Sequence, residues 1–252
     1  MKAENYPGET MLSRTARLFL VLFYRILKFF VAFENAEILE KIETPVIFAF
    51  NHNNYFETLA VPVCLMKRLR GKKISFLIDW MFGRIPLLKE LLMMIDPVFV
   101  YNKRSRLSWI KPGRESRTGS AYDHCVEKIK SGLHIGIFPE GTRNSSPVKM
   151  KKGKKGIGYL VLKSGAPVLP VGIRFRSTDR RSRIPSIGLI KLTIGEPVVF
   201  KHEISLYETA LSRDGSGDST GLVNRLAAVI THCIMEKIAV LCGKSYLFPA
   251  PL

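Results

Sequence analysis

The sequence predicts an α/β layered fold, a largely parallel or mixed sheet flanked by helices, preceded by an amphipathic helix that associates with a membrane. Three observations predict it. Short continuous apolar runs rich in β-formers recur along the chain, as expected of strands buried on both faces. Segments with helical periodicity alternate with them, which is the order of a layered, largely parallel sheet. Hydrophobic residues make up 46% of 252 residues, enough for one sizeable core.

Residues 11–33 read MLSRTARLFLVLFYRILKFFVAF. At 100° per residue, Arg14, Arg17, Arg25 and Lys28 fall on one stripe, and Phe19, Phe23, Phe30 and Phe33 fall largely opposite, with Leu12, Ala16 and Leu27. A helix of that kind lies in the membrane interface and snorkels its cations toward lipid headgroups. Arg25 and Lys28 interrupt the apolar run, and no small-residue cleavage site follows, so the segment reads poorly as a secretory signal. A core helix with a solvated basic edge and a span with tolerated charges are the competing placements. The division drawn is a helical membrane-associating segment over 1–42 and the main domain over 43–252.

The polar stretch ENAEILEKIETP crosses to that domain. Val46–Phe50, VIFAF, reads as a buried parallel strand, and residues 55–70 as a helix stopped by Gly71. ISFLI (74–78) is a second strand, and FGRIPLLKELLMMI is helical, with Pro86 in its first turn. PVFVY (97–101) is a third strand. A basic Gly/Ser-containing loop over 103–119 leads to a helix near 120–131. HIGIFP (134–139) holds a fourth strand, a Lys-rich loop follows, and 156–164 is a helix. APVLPVGIRF and IKLTIGEPVVF hold the fifth and sixth strands. Pro170 lacks a ladder donor and predicts an edge or a bulge. A flexible loop over 212–220 precedes a last, core-packing helix over 221–241.

The chain carries 39 Lys+Arg against 21 Asp+Glu, a net charge of +18. That balance favours anionic partners: nucleic acid, an anionic membrane, or phosphorylated and CoA-like substrates. No nucleic-acid motif is visible, and an aromatic N-terminal face has no role there, so nucleic acid is set aside. Cys64, Cys125, Cys233 and Cys242 form no C-x-x-C pair and read as free thiols, with no metal site expected. His124, His134, His202 and His232 have no paired spacing and read as structural or surface groups.

Two stretches carry chemistry. In NHNNYFE, His52 follows a buried strand and precedes a helix, the place where open α/β sheets hold ligands. Glu57, in the first turn of that helix, can accept from one imidazole nitrogen and leave the other as a proton acceptor. An ordinary strand-end histidine beside a solvated acid is the competing reading. In FPEGTRNSS, Gly141 permits a tight backbone path, Thr142 can donate, and Arg143 offers a planar fork for phosphate or carboxylate. A turn with a surface arginine competes there. The five lysines of 149–155 add cationic density. Asp79, near a strand end, reads as an ordinary strand-end acid with a substitute for Glu57 as the alternative, and Trp80 and Trp109 read as packing or membrane-surface residues.

Together these pieces resemble the glycerophospholipid acyltransferase family, of the 1-acylglycerol-3-phosphate type, over about residues 45–200. NHNNYFE is similar to its Asn-His-x4-Asp block, VFVYNKR to its second block, FPEGTR to its third and APVLPVGI to its fourth. Lys155-Gly156 stands where the family has Lys-x-Gly before a helix. The resemblance implies an O-acyltransferase with His52 as general base and Glu57 as its acidic partner. It also implies substrate-binding roles for Asn51, Lys103, Arg104, Glu140, Gly141, Thr142, Arg143, Lys155, Gly156 and Pro170, with Arg143 on the acceptor's phosphate. No metal, no cofactor and no acyl-enzyme are implied. The expected donor is acyl-CoA or acyl carrier protein, and the expected acceptor is lysophosphatidic acid. Another lyso-lipid, such as a lyso-ornithine lipid, is the alternative acceptor, and a weakly active or inactive lipid-binding homologue the alternative function. The expected location is an anionic membrane surface, the cytoplasmic face of a bacterial inner membrane. One departure stands out: the family pattern has Asp where this chain has Glu57. The added methylene must be absorbed over about 1.5 Å, a misplacement that can cost about 10²-fold in rate if it is not.

Overall fold

The computed structural model describes residues 11–79, 96–100, 121–175, 184, 187–212 and 219–251. Helix α1 spans Arg14–Leu27 and is capped by Ser13, whose Oγ accepts from the Ala16 N–H at 3.2 Å. Strand β1 (Val31–Glu34) and the short helix α2 (Glu37–Glu40) precede strand β2 (Ile47–Phe50). Then come α3 (Phe56–Arg68), β3 (Ile74–Asp79), β4 (Val98–Val100), α4 (Ala121–Lys130), β5 (His134–Ile137) and α5 (Gly156–Ser164). The chain continues through β6 (Val168–Phe175), β7 (Ile190–Ile194), α6 (Lys201–Ser212) and α7 (Ser219–Cys242).

Among the described residues, seven strands form one sheet in the order β1-β7-β6-β2-β5-β3-β4. Neighbours are parallel except β6 and β7, so β1 and β7 run opposite to the other five. The sheet is therefore mixed. Alternation along β2 sorts the core into two halves. Phe48 and Phe50 face α1 and α3, while Ile47 and Ala49 face α4, α5 and α7. β2 is buried throughout, which is why its sequence reads as an unbroken apolar run.

The N-terminal region differs from the expected single helix over 11–33. α1 stops at Leu27, and Val31–Glu34 is an edge strand paired with β7. Asn35 takes φ 58° and its amide donates to the Ile194 carbonyl at 3.2 Å, which ends the strand. β-branched and aromatic residues at 31–33 fit a sheet edge better than a helix, but helical periodicity hid the switch. α2 and α6 were also absent from the sequence reading. The expected helix over 82–95 and the loop over 103–119, with Lys103 and Arg104, lie outside the described residues.

Pro170 sits in a central strand, opposite Ala49, and not at an edge. A residue's N–H and C=O point to the same side of a strand. The Pro170 carbonyl accepts from Gly195 N–H at 2.9 Å, so its donorless nitrogen faces the point just past the end of β7. The missing donor thus falls where the ladder has already ended. A Cβ on Gly195 would lie 2.9 Å from Pro170 Cγ, so glycine there makes room for the ring.

Candidate functional site

The site forms where β2 ends. Asn51, the first residue past the strand, is fully buried. Its amide donates to the Ile173 carbonyl at 3.0 Å, and its Oδ1 accepts from the Ile173 N–H at 2.6 Å. This two-way bond ties the end of β2 to β6 and aims the next residue, His52, out of the sheet. Phe138, just beyond β5, lies under the imidazole with ring centroids 4.4 Å apart at 31°. Phe50 and Phe76 continue the aromatic layer behind it.

Glu57 lies in the first turn of α3 and is fully buried. Its Oε1 is 2.7 Å from His52 Nδ1 and also accepts from the Asn53 N–H. Its Oε2 accepts from the Asn53 side-chain amide at 3.0 Å. A carboxylate only accepts, so the proton of this His–Glu bond sits on Nδ1. That leaves the Nε2 lone pair of a ring 15% exposed as the proton acceptor. Glutamate at this position reaches the imidazole at hydrogen-bond distance.

A second buried acid holds His52 from below. Glu140, 1% exposed, accepts from the His52 backbone N–H at 3.0 Å through Oε1. Its Oε2 accepts from the Asn144 amide and the Lys151 N–H, both at 2.9 Å. The Asn144 N–H closes the loop onto the His52 carbonyl at 2.7 Å. Glu140 thus spends both oxygens on the protein's own donors and locks the 138–144 turn against the 51–57 turn.

Gly141 takes φ 62°, and a Cβ there would lie 2.8 Å from the Lys154 side chain, so the lysine stem crosses directly over this turn. Thr142 and Arg143 are exposed. The Arg143 guanidinium lies 3.5 Å from the centroid of the Tyr55 ring, at the N-terminus of α3 and three residues from His52. Lys155 is exposed at the N-cap of α5. Gly156 is buried beneath Tyr122, whose hydroxyl would be 1.9 Å from an added Cβ. Pro170 is buried in β6.

The structure thus joins His52 and Glu57 directly, and Asn51, Glu140 and Arg143 around them. Gly156 and Pro170 are buried within neighbouring helix and sheet packing, and Lys155 is exposed at the start of α5. Asp79 is the last residue of β3. Three contributors escaped the sequence reading. Asn53 grips Glu57, Asn144 braces Glu140, and Lys244 donates to Asn53 Oδ1 at 2.6 Å from 191 residues away. Asn53 with Glu57 and Asn144 with Glu140 are each four residues apart, a local signal, whereas Lys244 comes from a distant segment.

A family model described as Acyltransferase matches residues 30–174. A 1-acyl-sn-glycerol-3-phosphate acyltransferase of Bacillus subtilis is 33% identical over 85 residues, 34% of this chain and 40% of the relative. The corresponding enzyme of Borreliella burgdorferi is 35% identical over 88 residues, 35% of this chain and 31% of the relative. A chloroplastic one from Arabidopsis thaliana is 25% identical over 140 residues, 55% of this chain and 34% of the relative. The matched segments therefore span about a third to two-fifths of these relatives. The fold is similar to the crystal structure of the 1-acyl-sn-glycerophosphate acyltransferase PlsC from Thermotoga maritima. The TM-score is 0.53 at 19% identity, over 88% of this chain and 79% of that one. With the family model covering more than half its length, the chain belongs to the acyltransferase family.

Proposed function

We propose that this protein moves a fatty acyl group from an acyl thioester to the hydroxyl of a lysophospholipid, with lysophosphatidic acid giving phosphatidic acid. The observation that carries the reading is the 2.7 Å bond from His52 Nδ1 to a fully buried Glu57, which leaves Nε2 facing outward as a base. Nε2 takes the proton of the acceptor hydroxyl as its oxygen attacks the thioester carbonyl carbon. The C–S bond breaks, and the imidazolium returns the proton to the thiolate. Glu57 stabilises that imidazolium and holds the ring in one orientation. No protein nucleophile is involved.

Arg143 binds the acceptor's phosphate beside Tyr55, aided by Lys103 or Arg104, and Lys154 adds charge at the same turn. The donor is acyl-CoA or acyl carrier protein. The site works at an anionic membrane surface, on which α1 lays its solvent-facing apolar side chains Leu18, Phe19, Leu22 and Ile26, with Phe29 just beyond. Support for this placement comes from Phe30, at the end of α1, whose ring meets Phe56 edge-on at 5.6 Å, next to Glu57.

The test is thioester consumption by protein in liposomes with lysophosphatidic acid. His52→Ala is expected to lose about 10³-fold or more in turnover, and Glu57→Gln about 10²-fold. Unchanged rates in His52→Ala would remove the base. A phosphate-free lyso-lipid run in parallel separates acceptor classes. Arg143→Ala should raise KM about tenfold for the phosphorylated acceptor and leave the other unaffected.

A further inference from the structure

Lys244 is 8% exposed, yet it stands just past the end of α7, where lysines normally face water. Its place is fixed. Gly243 turns the chain with φ 66°, the Lys244 N–H donates to the Ala239 carbonyl at 3.0 Å, and Ser245 pairs with Val148 and Met150. From there the ammonium donates to Asn53 Oδ1 at 2.6 Å. The same oxygen accepts from the Asn51 amide at 3.2 Å, and the Asn53 amide nitrogen donates to Glu57 Oε2 and, at 3.3 Å, to the Ile173 carbonyl. Asn53 is therefore held in one orientation, with its oxygen toward the two donors and its nitrogen toward the carboxylate.

We infer that Lys244 is a positioning residue for the His52–Glu57 pair, acting through Asn53 and through its positive charge. The inference rests on the acyl-transfer reading for its consequence in turnover. Glu57 and Glu140 place two buried carboxylates beside His52. With Lys244 charged, this cluster carries a net −1 when the imidazole is neutral and zero when it is protonated. Without Lys244 those sums become −2 and −1, and the protonated ring, useless as a base, is favoured at rest. Burial pulls the Lys244 ammonium below its ordinary range, and the Glu140 and Glu57 carboxylates oppose that shift. Cys242, the other titratable neighbour on α7, is pushed up to about 11 by burial and contributes no charge near neutrality. Arg174 of β6 packs against Gly243, next to Lys244, and is a second cation near this cluster.

The experiment compares the full chain with Lys244→Met, Lys244→Gln and Lys244→Arg, each checked for cooperative unfolding. Two readouts are taken: the pH profile of kcat with KM for both substrates, and the low-field proton resonance of His52 Nδ1–H. Lys244→Met is expected to lower kcat about 10²-fold with KM within about twofold, and to move the acidic limb up by about one pH unit. Lys244→Gln keeps a donor for Asn53 and should show the limb shift with a smaller loss at high pH. Lys244→Arg should return the limb toward its wild-type position. The resonance should weaken or shift in the Met variant and persist in the Arg variant. An equal loss at every pH, or unfolding of all three variants, would make Lys244 merely structural and overturn the inference. If wild type fails to turn over lysophosphatidic acid, the acyl-transfer reading falls, while the Nδ1 resonance still decides whether Lys244 orders the pair.

Discussion

His134 opens β5 with its side chain sealed from solvent, and its Nδ1 accepts from the Val46 N–H at 3.2 Å. That bond requires the neutral ring. Burial, helped by the charge of Lys72, holds the imidazole down at about 4, against 6.5 ordinarily. Between those values the unfolded chain binds a proton that the native protein refuses. Stability is therefore fully present above pH 6.5 and is lost as the pH falls toward 4, on the order of 3 kcal/mol in all. Denaturant midpoints measured from pH 7 to 4.5 should fall accordingly, and His134→Gln, which keeps an acceptor for Val46, should flatten the decline. The cysteines follow the same logic. Burial pushes Cys64 and Cys125 up to about 12, whereas Cys233 is only half-buried. A thiol reagent applied to the native protein should label Cys233 first, which peptide mass spectrometry reads directly. His134 was taken as a structural or surface group from spacing alone. Its burial, its bond to Val46 and its packing against Phe48, with rings 5.6 Å apart, make it structural.

Helices divide by what covers them. α1 buries Ala16, Leu20 and Leu27 toward the core but leaves Leu18 at 71%, Ile26 at 59% and Leu22 at 56% exposure. The aromatic face read from the sequence thus splits: Phe23, Phe30 and Phe33 pack inward and Phe19 remains outside, while Phe29, which was not part of that face, is exposed as well. Changing Leu18, Leu22 and Ile26 together to Glu should leave unfolding within about 0.5 kcal/mol while reducing co-sedimentation with anionic vesicles at least about tenfold. Loss of the fold would instead assign this face to the core. On the opposite layer, α5 meets α7 at Gly158. A Cβ there would lie 2.1 Å from the Ala227 carbonyl oxygen, and the obstacle is backbone, which cannot swing away. Gly158→Ala should cost about 1–3 kcal/mol, read as a lower denaturant midpoint.

At the scale of the whole molecule, the net charge of +18 favours anionic partners, and under the proposed function that partner is an anionic membrane surface. Binding to anionic vesicles is expected to weaken steeply between about 0.05 and 0.5 M salt, and neutral vesicles should bind less at every salt concentration. Salt-independent binding would place the burden on the apolar face of α1 alone. Among the described residues no helix is long and apolar enough to cross a membrane. The sheet itself explains how the site is supported. The carboxyl ends of β2 and β5 lead into the turns that carry His52 and Glu140, and β6 supplies the Ile173 backbone that fixes Asn51. The mixed edge of β7 and β1 then ties the N-terminal region to the same sheet.

Local patterns determined much of this protein from its sequence. Strand β2, helix α3, which ends at Arg68 shortly before Gly71, and helix α5 follow from apolar runs and glycine positions that act over a few residues. The pairing of His52 with Glu57 is also local, because five residues bridge one strand end and one helix turn. What only tertiary structure decided is set by contacts between distant segments. Val31–Glu34 becomes a strand because β7 offers an open edge. Pro170 is tolerated in the middle of the sheet because β7 ends beside it. Lys244 reaches Asn53 because α7 ends against the loop at 148–150. Periodicity carries no information about such meetings, since each partner lies in a different element of the chain and the burial that gives each contact its strength exists only once the layers have closed.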